Sequence, residues 1–349
     1  MDSQVPPIEP TSSADVFIAP PPPPPQPSAV YKIFVGPYGV RAGWKILMYI
    51  ALFIALGFLM RPFFRMLPHM DPKAPMAPWT AFWAEFFQMV MVLVPTGILA
   101  KLVDHKKWGY FGMPLNKAFR SNFWIGGFIG LGALALQLEI MHLCGWFDFG
   151  TVELNGADAL KFGSIWFVMF LFVGFTEEGL LRGYVQRVTT DGFSMMPGGW
   201  GFWTSALIFS VVFASGHLGN AGENKFGIFM VFTDGMVMCF SLWRTGDLWW
   251  AIGNHAMWDW GQSFLFGTPN SGTHTIGALM NPSFHGPVLL AGGTDGPEGS
   301  VLVLLSETIF VVLIAVMYRQ RKFPLIKDQA NPAEPLLVGS VMSAPPRMS

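Results

Sequence analysis

Three short constellations in this chain combine residue types that carry out hydrolytic chemistry. The first, Thr176-Glu177-Glu178-Gly179-Leu180-Leu181-Arg182, sets two carboxylates and a guanidinium close together. The second closes an apolar run as Phe213-Ala214-Ser215-Gly216-His217, and the third is Asn254-His255-Ala256-Met257-Trp258-Asp259. Residues four apart share a helix face, and an acid pairs best when it is the N-terminal partner. Glu178 therefore pairs with Arg182, Phe213 lies along His217, and His255 lies beside Asp259. Glu177 is rotated by about 100° from Glu178 and has no partner on its own helix. A carboxylate in apolar surroundings binds a proton more tightly than one in water, the condition for taking a proton from water near neutral pH.

One unpaired acid, two histidines and a further carboxylate, drawn from three segments, fit a site that activates water. With a divalent metal such as zinc, His217, His255 and a carboxylate from Glu177 or Asp259 form a His/His/carboxylate set with a position left for water. Without a metal, Glu177 is the general base and the histidines stabilise the tetrahedral oxyanion. Residue types alone leave both routes open. Neither a GxSxG nor an HExxH motif occurs, which argues against a serine or an ordinary zinc-peptidase mechanism.

The elements that must position these residues are membrane helices. Of 349 residues, 52% are hydrophobic and 12% charged, against about 25% charged in a soluble domain. Lys plus Arg number 21 and Asp plus Glu 22, so the chain has no electrostatic footprint for nucleic acid. Eight apolar stretches, 44–60, 78–100, 122–142, 162–181, 197–216, 226–243, 248–267 and 301–318, are long enough or nearly so to cross a hydrocarbon core of ~30 Å. The expected fold is all-α: a polytopic membrane bundle of about eight transmembrane helices. An acid in the centre of such a helix costs about 2.5–3.5 kcal/mol and needs a partner or a purpose. Seven qualify: Glu85, Glu139, Glu177, Glu178, Asp234, Asp259 and Glu307. Isolated Glu85, Glu139 and Glu307 read as hydrogen-bonded or protonated groups near helix ends or in the bundle interior, without a catalytic role. Asp234, Asp259 and Glu307 also motivate a less favoured alternative, a proton or metal transporter, which the lack of an internal repeat disfavours.

Residues 41–318 are thus expected to form the bundle, flanked by tails at 1–40 and 319–349. The run Pro20 to Pro25 predicts an extended, disordered cytosolic spacer or a docking element for a proline-binding partner. An early Asp2, Glu9 and Asp15 with no basic start exclude a secretory signal, leaving insertion to internal spans. Lys101, Lys106, Lys107, Lys117 and Arg120 in one loop, and Arg319, Arg321, Lys322 and Lys327 after the last span, oppose the acidic Asp148, Glu153 and Asp158 loop. The positive-inside rule then puts both termini in the cytosol, although Arg61, Arg65 and Lys73 fit poorly. The Gly-, Pro- and Ser-rich segment 268–300 reads as a non-cytosolic loop or partly re-entrant cover. Cys144 and Cys239 form no disulfide or zinc framework. His217 lies at the far end of its span and His255 near the start of a parallel one, a depth mismatch of about 10–20 Å at ~1.5 Å per residue. A broken helix at Gly216–Gly222 lining a cavity resolves it.

EExxxR, FxxxH and HxxxN-or-D, in that order on successive apolar helices, resemble the intramembrane CAAX prenyl endopeptidase and bacteriocin-processing family, also called CPBP or Abi. Glu177, Glu178 and Arg182 match the first motif, Phe213 and His217 the second, His255 and Asp259 the third. Tyr110-Phe111-Gly112-Met113-Pro114-Leu115 is similar to the glycine motif that precedes this domain, so the resemblance covers about 105–265. It implies an eight-helix bundle around a cavity, with Glu177 activating water and His217 and His255 stabilising the transition state. Asp259 stands where the family has Asn or Asp, and an acid there strengthens metal binding or simply holds His255. Eukaryotic members remove the last three residues of prenylated CAAX proteins; bacterial relatives process peptides, confer bacteriocin immunity or act without proteolysis. The expected function is an intramembrane endopeptidase, acting on a membrane-delivered peptide or a CAAX-type prenylated protein and sited in a bacterial plasma membrane. The alternative is a non-proteolytic binding or immunity protein of the same fold.

Overall fold

The computed structural model describes residues 28–68, 74–220, 222 and 224–326. The proline run and the end of the C-terminal tail lie outside the described residues. Residues 28–40, expected as part of the tail, carry a short helix α1 (Ala29–Phe34) and a two-stranded hairpin of β1 (Val35–Gly36) and β2 (Gly39–Val40). Long helices α2 (Ala42–Met66), α3 (Pro78–Leu102) and α4 (Ser121–Leu143) follow, then strand β3 (Phe147–Val152). Helix α5 (Gly156–Glu178) continues through a widened turn at Gly179–Val185 into α6 (Gln186–Gly192). Next come α7 (Trp200–Gly216), α8 (Lys225–Thr245) and α9 (Trp249–Trp260), the last also ending in a widened turn, Gly261–Leu265. Strand β4 (Met280–Phe284), α10 (Val288–Ala291) and α11 (Val303–Met317) complete the order.

The protein is a helical membrane bundle, with a helix in each of the eight expected stretches. Six are long and apolar enough to cross a membrane: α2, α3, α4, the α5–α6 rod of 37 residues, α7 with its following turn, and α8. The other two, α9 and α11, are shorter. Tyr49 is the one buried residue of α2, so that helix presents apolar side chains outward, as lipid contact requires. Helix α9 is the opposite, with ten of its residues buried, Trp250, Ala251 and Ile252 among them.

Two devices set the position of α9. At its start the glycine motif reverses the chain: Gly112 adopts φ 81° and its carbonyl accepts a hydrogen bond from Leu248 N at 2.8 Å. Trp249 Nε1 also donates to Pro114 O at 3.1 Å. Along its length α9 meets α4 backbone to backbone. A Cβ added at Gly126 would stand 2.1 Å from Trp250 O, and one at Gly253 would stand 2.0 Å from Phe123 O. Small residues permit such approach between membrane helices, where dispersion rather than water exclusion holds the pair. Gly253→Ala is therefore expected to cost about 1–3 kcal/mol through overpacking and to lower the thermal transition of the detergent-solubilised protein. Gly132→Ala, on the same α4 but with nothing within 4 Å, should leave the transition in place.

Two further segments close the bundle. Strands β3 and β4 pair antiparallel, with Phe147 opposite Phe284 and Val152 opposite Met280, and carry the segment 268–300 back over the helices as a cover. After α11 the chain does not leave at once, as the expected free tail would. Phe323 is buried against Phe202, with ring centroids 4.7 Å apart, and its amide donates to Trp243 O. Arg187 Nη1 donates to Pro324 O at 2.6 Å, with its guanidinium between the Tyr110 and Phe323 rings. One aromatic side chain and a buried guanidinium thus convert the first part of the expected tail into a strap. Burial pushes the Tyr110 phenol up, keeping it a donor to Asp191 Oδ2 at 2.6 Å.

Candidate active site

Glu177 and Glu178 are the last residues of α5, and the helix widens immediately after them. Widened turns of this kind are frequent at functional sites. The expected Glu178–Arg182 pair forms across that turn at 2.8 Å, with the two side chains 0% and 2% exposed. Arg182 also lies over the Phe213 ring, 4.5 Å from its centroid. The first two motifs therefore meet through this cation.

The third motif joins on the same carboxylate. His255 Nδ1 donates to Glu178 Oε1 at 3.0 Å, the oxygen that also accepts from Arg182 Nη1. Glu178 is thus more than the partner of Arg182, because it also sets the orientation and the tautomer of the imidazole. The opposite nitrogen, Nε2, lies 3.4 Å from Glu177 Oε2 and 3.4 Å from Asp259 Oδ2. Asp259 holds the ring, as its spacing suggested. Glu177 diverges from Glu178 as expected and keeps 29% of its side chain exposed.

That exposure is to a cavity of about 250 Å³, into which Glu177, His255, Asp259 and Phe213 all reach. Its apolar wall comes from Met169, Phe170 and Val173 of α5, Met230 and Met238 of α8 and Phe310 of α11. Asn270, Ser271 and Thr273 of the cover close one part. Glu85 and Glu307, read from sequence as isolated, line this same cavity, as does Asp234. Their presence inside spans was the signal, but nothing local said that they face one another. Asn254 also lines it and ties α9 to α4 by donating to Gly126 O at 3.2 Å. Its position beside His255 was visible, its role as a tether was not.

His217 is placed differently. Helix α7 does stop at Gly216 and gives way to a tight turn at His217–Gly219, so the expected break is present. Yet Phe213, rather than His217, belongs to the cavity wall. The His217 ring packs edge-on against Phe213 at 4.8 Å, and its Nδ1 donates to Phe213 O at 3.0 Å. Among the described residues no group of three or more His, Cys, Asp or Glu is arranged to hold a metal ion. Both nitrogens of His255 face carboxylates and His217 stands behind Phe213, so these side chains as placed do not fit a His/His/carboxylate metal centre.

Residues 160–261 match the family model described as Type II CAAX prenyl endopeptidase Rce1-like. The matched segment contains all three motifs, and the match supports the family resemblance carried by them. That family is a protease family. No curated protein matches the chain, and no solved structure does either.

Proposed function

We propose, taking the Rce1-like character of residues 160–261 as premise, that this multi-pass membrane protein is an intramembrane endopeptidase that hydrolyses its substrate with a glutamate-activated water. The observation that carries the reading is the His255 ring held between Glu178 on one side and Glu177 with Asp259 on the other, at the wall of the cavity. Glu177, the acid with room beside it, takes a proton from water as the oxygen adds to the scissile carbonyl carbon. His255, oriented through Nδ1 by Glu178, presents Nε2 to the developing oxyanion. When the C–N bond breaks, Glu177 passes its proton to the leaving nitrogen. Arg182 and Glu178 are positioning residues, and Asp259 steadies the imidazole. His217 enters on its motif, as a second donor to the oxyanion once the turn at His217–Gly219 approaches the substrate.

The Met- and Phe-rich wall suits an apolar peptide or a prenyl chain arriving from the bilayer, the substrate class the family match points to. The charge distribution of the loops supports both termini on the cytosolic side of the membrane, while the bacterial plasma membrane is proposed on the breadth of the resembled family alone. The full chain in detergent is to be given a fluorogenic peptide ending in a CAAX box, farnesylated or unmodified, with and without chelator. The expected result is release of the last three residues, identified by mass, faster from the farnesylated form and insensitive to the chelator. Failure to cut either peptide would overturn the CAAX-type reading, and loss of cleavage on chelation would restore the metal route.

A further inference from the structure

Beyond the motif residues, the cavity carries an imbalance of charge. Arg182 and, with its ring protonated, His255 are the cations at the site, and both are already engaged: Arg182 by Glu178, His255 by Glu178, Glu177 and Asp259. Three acids thus answer two cations before any other group is considered. Four more acids line the same cavity and no Lys or Arg does: Glu85, which accepts from Gln88, Glu298, which accepts from Ser271, Asp234 of α8 and Glu307 of α11. Among the described residues Asp234 makes no hydrogen bond or ion pair. Glu307 is only 7% exposed; its Oε1 accepts from Thr233 Oγ1 at 2.8 Å, and its Oε2 takes no hydrogen bond among the described residues. A carboxylate inside a membrane bundle is ordinarily matched by a partner. Here the position of the partner is the cavity itself.

We infer that Asp234 and Glu307 form a subsite that selects peptides carrying a basic side chain close to the scissile bond. The inference rests on the endopeptidase reading above and adds a substrate class to it. An ammonium or guanidinium entering the cavity supplies the missing counter-charge and donates to the free oxygens of both residues, a charge-assisted contact stronger than a neutral one. An acidic side chain in the same place meets a wall of its own sign. The apolar remainder of the wall, with Met230 and Met238 one turn either side of Asp234 on α8 and Phe310 one turn after Glu307 on α11, takes the methylene stem of Lys or Arg.

The test uses the full chain in detergent and farnesylated fluorogenic peptides in which a single Lys, Gln or Glu is placed in turn at each position flanking the scissile bond. At one or two positions kcat/KM is expected to be about tenfold higher for Lys than for Gln, and lower again for Glu. The Lys-to-Gln ratio should fall to within about twofold in Asp234→Asn and in Glu307→Gln, and return in Asp234→Glu. Equal cleavage of the three series by the unaltered protein overturns the inference while leaving the endopeptidase reading in place. So does a Lys preference that survives both substitutions. Cleavage of no peptide at all overturns the CAAX-type endopeptidase reading on which the subsite rests, and the subsite falls with it.

Discussion

Glu177→Gln is expected to lower the rate of peptide cleavage by a factor of about 10²–10⁴, the usual contribution of a positioned general base. The substitution keeps the size of the side chain and its reach toward His255 Nε2, 3.4 Å away, but removes the group that accepts the proton. Because this side chain keeps 29% of its surface exposed to the cavity, the thermal transition should move little. The combination is diagnostic. A merely structural acid would lose stability and activity together, whereas a catalytic one loses activity alone. Glu177→Asp, which shortens the reach by one methylene, should give an intermediate rate. Retained activity in the Gln variant would remove Glu177 from the mechanism.

Arg182→Leu is expected to be the most destabilising single change in the motif region. It leaves the Glu178 carboxylate, 0% exposed, without its cation, and orphaning one member of a buried pair costs about 3–5 kcal/mol. Catalysis suffers through a second route, since Glu178 Oε1 is the acceptor that orients His255 Nδ1. The double variant Arg182→Leu with Glu178→Gln removes both charges and still offers His255 an acceptor. It should recover most of the lost stability, because replacing a whole buried pair is far cheaper than breaking it. Thermal denaturation of the two variants side by side decides the matter. Equal destabilisation would mean that the pair is not the source of the effect. Arg182→Lys keeps the charge but loses the planar group over Phe213, and should fall between.

Several features of the molecule follow from local pattern. The run of apolar stretches placed helices in all eight segments, and the three motifs appeared in order on three of them. The four-residue spacing of Glu178 and Arg182 was enough to pair them, and that of His255 and Asp259 enough to bring them together, because the helical repeat alone brings such residues onto one face. The divergence of Glu177 from Glu178 comes from the same repeat. The end of α7 at Gly216 was likewise legible, from glycine and from the depth at which His217 had to lie.

What local pattern did not contain is which side of each helix turns inward. In water an amphipathic stripe marks the buried face. In a bilayer the lipid is as apolar as the core, and helices such as α4 and α7 carry apolar residues all the way round, with no single apolar stripe to mark the inner face. The bond from His255 to Glu178, made across 77 residues, therefore appeared only in the folded chain, as did the meeting of Glu85, Asp234 and Glu307 around one cavity. So did the placing of His217 behind Phe213, and the strap at Phe323 that was read as free tail. The rotation and depth of α9 come from the close contacts of Gly126 and Gly253 and from the hold of Gly112 on Leu248. The sequence by itself thus determined the helices, their order and the pairs within each turn, because hydropathy and the helical repeat act over a few residues. The tertiary structure decided which of those residues share a cavity, because backbone contacts between distant segments set how the helices are turned against one another.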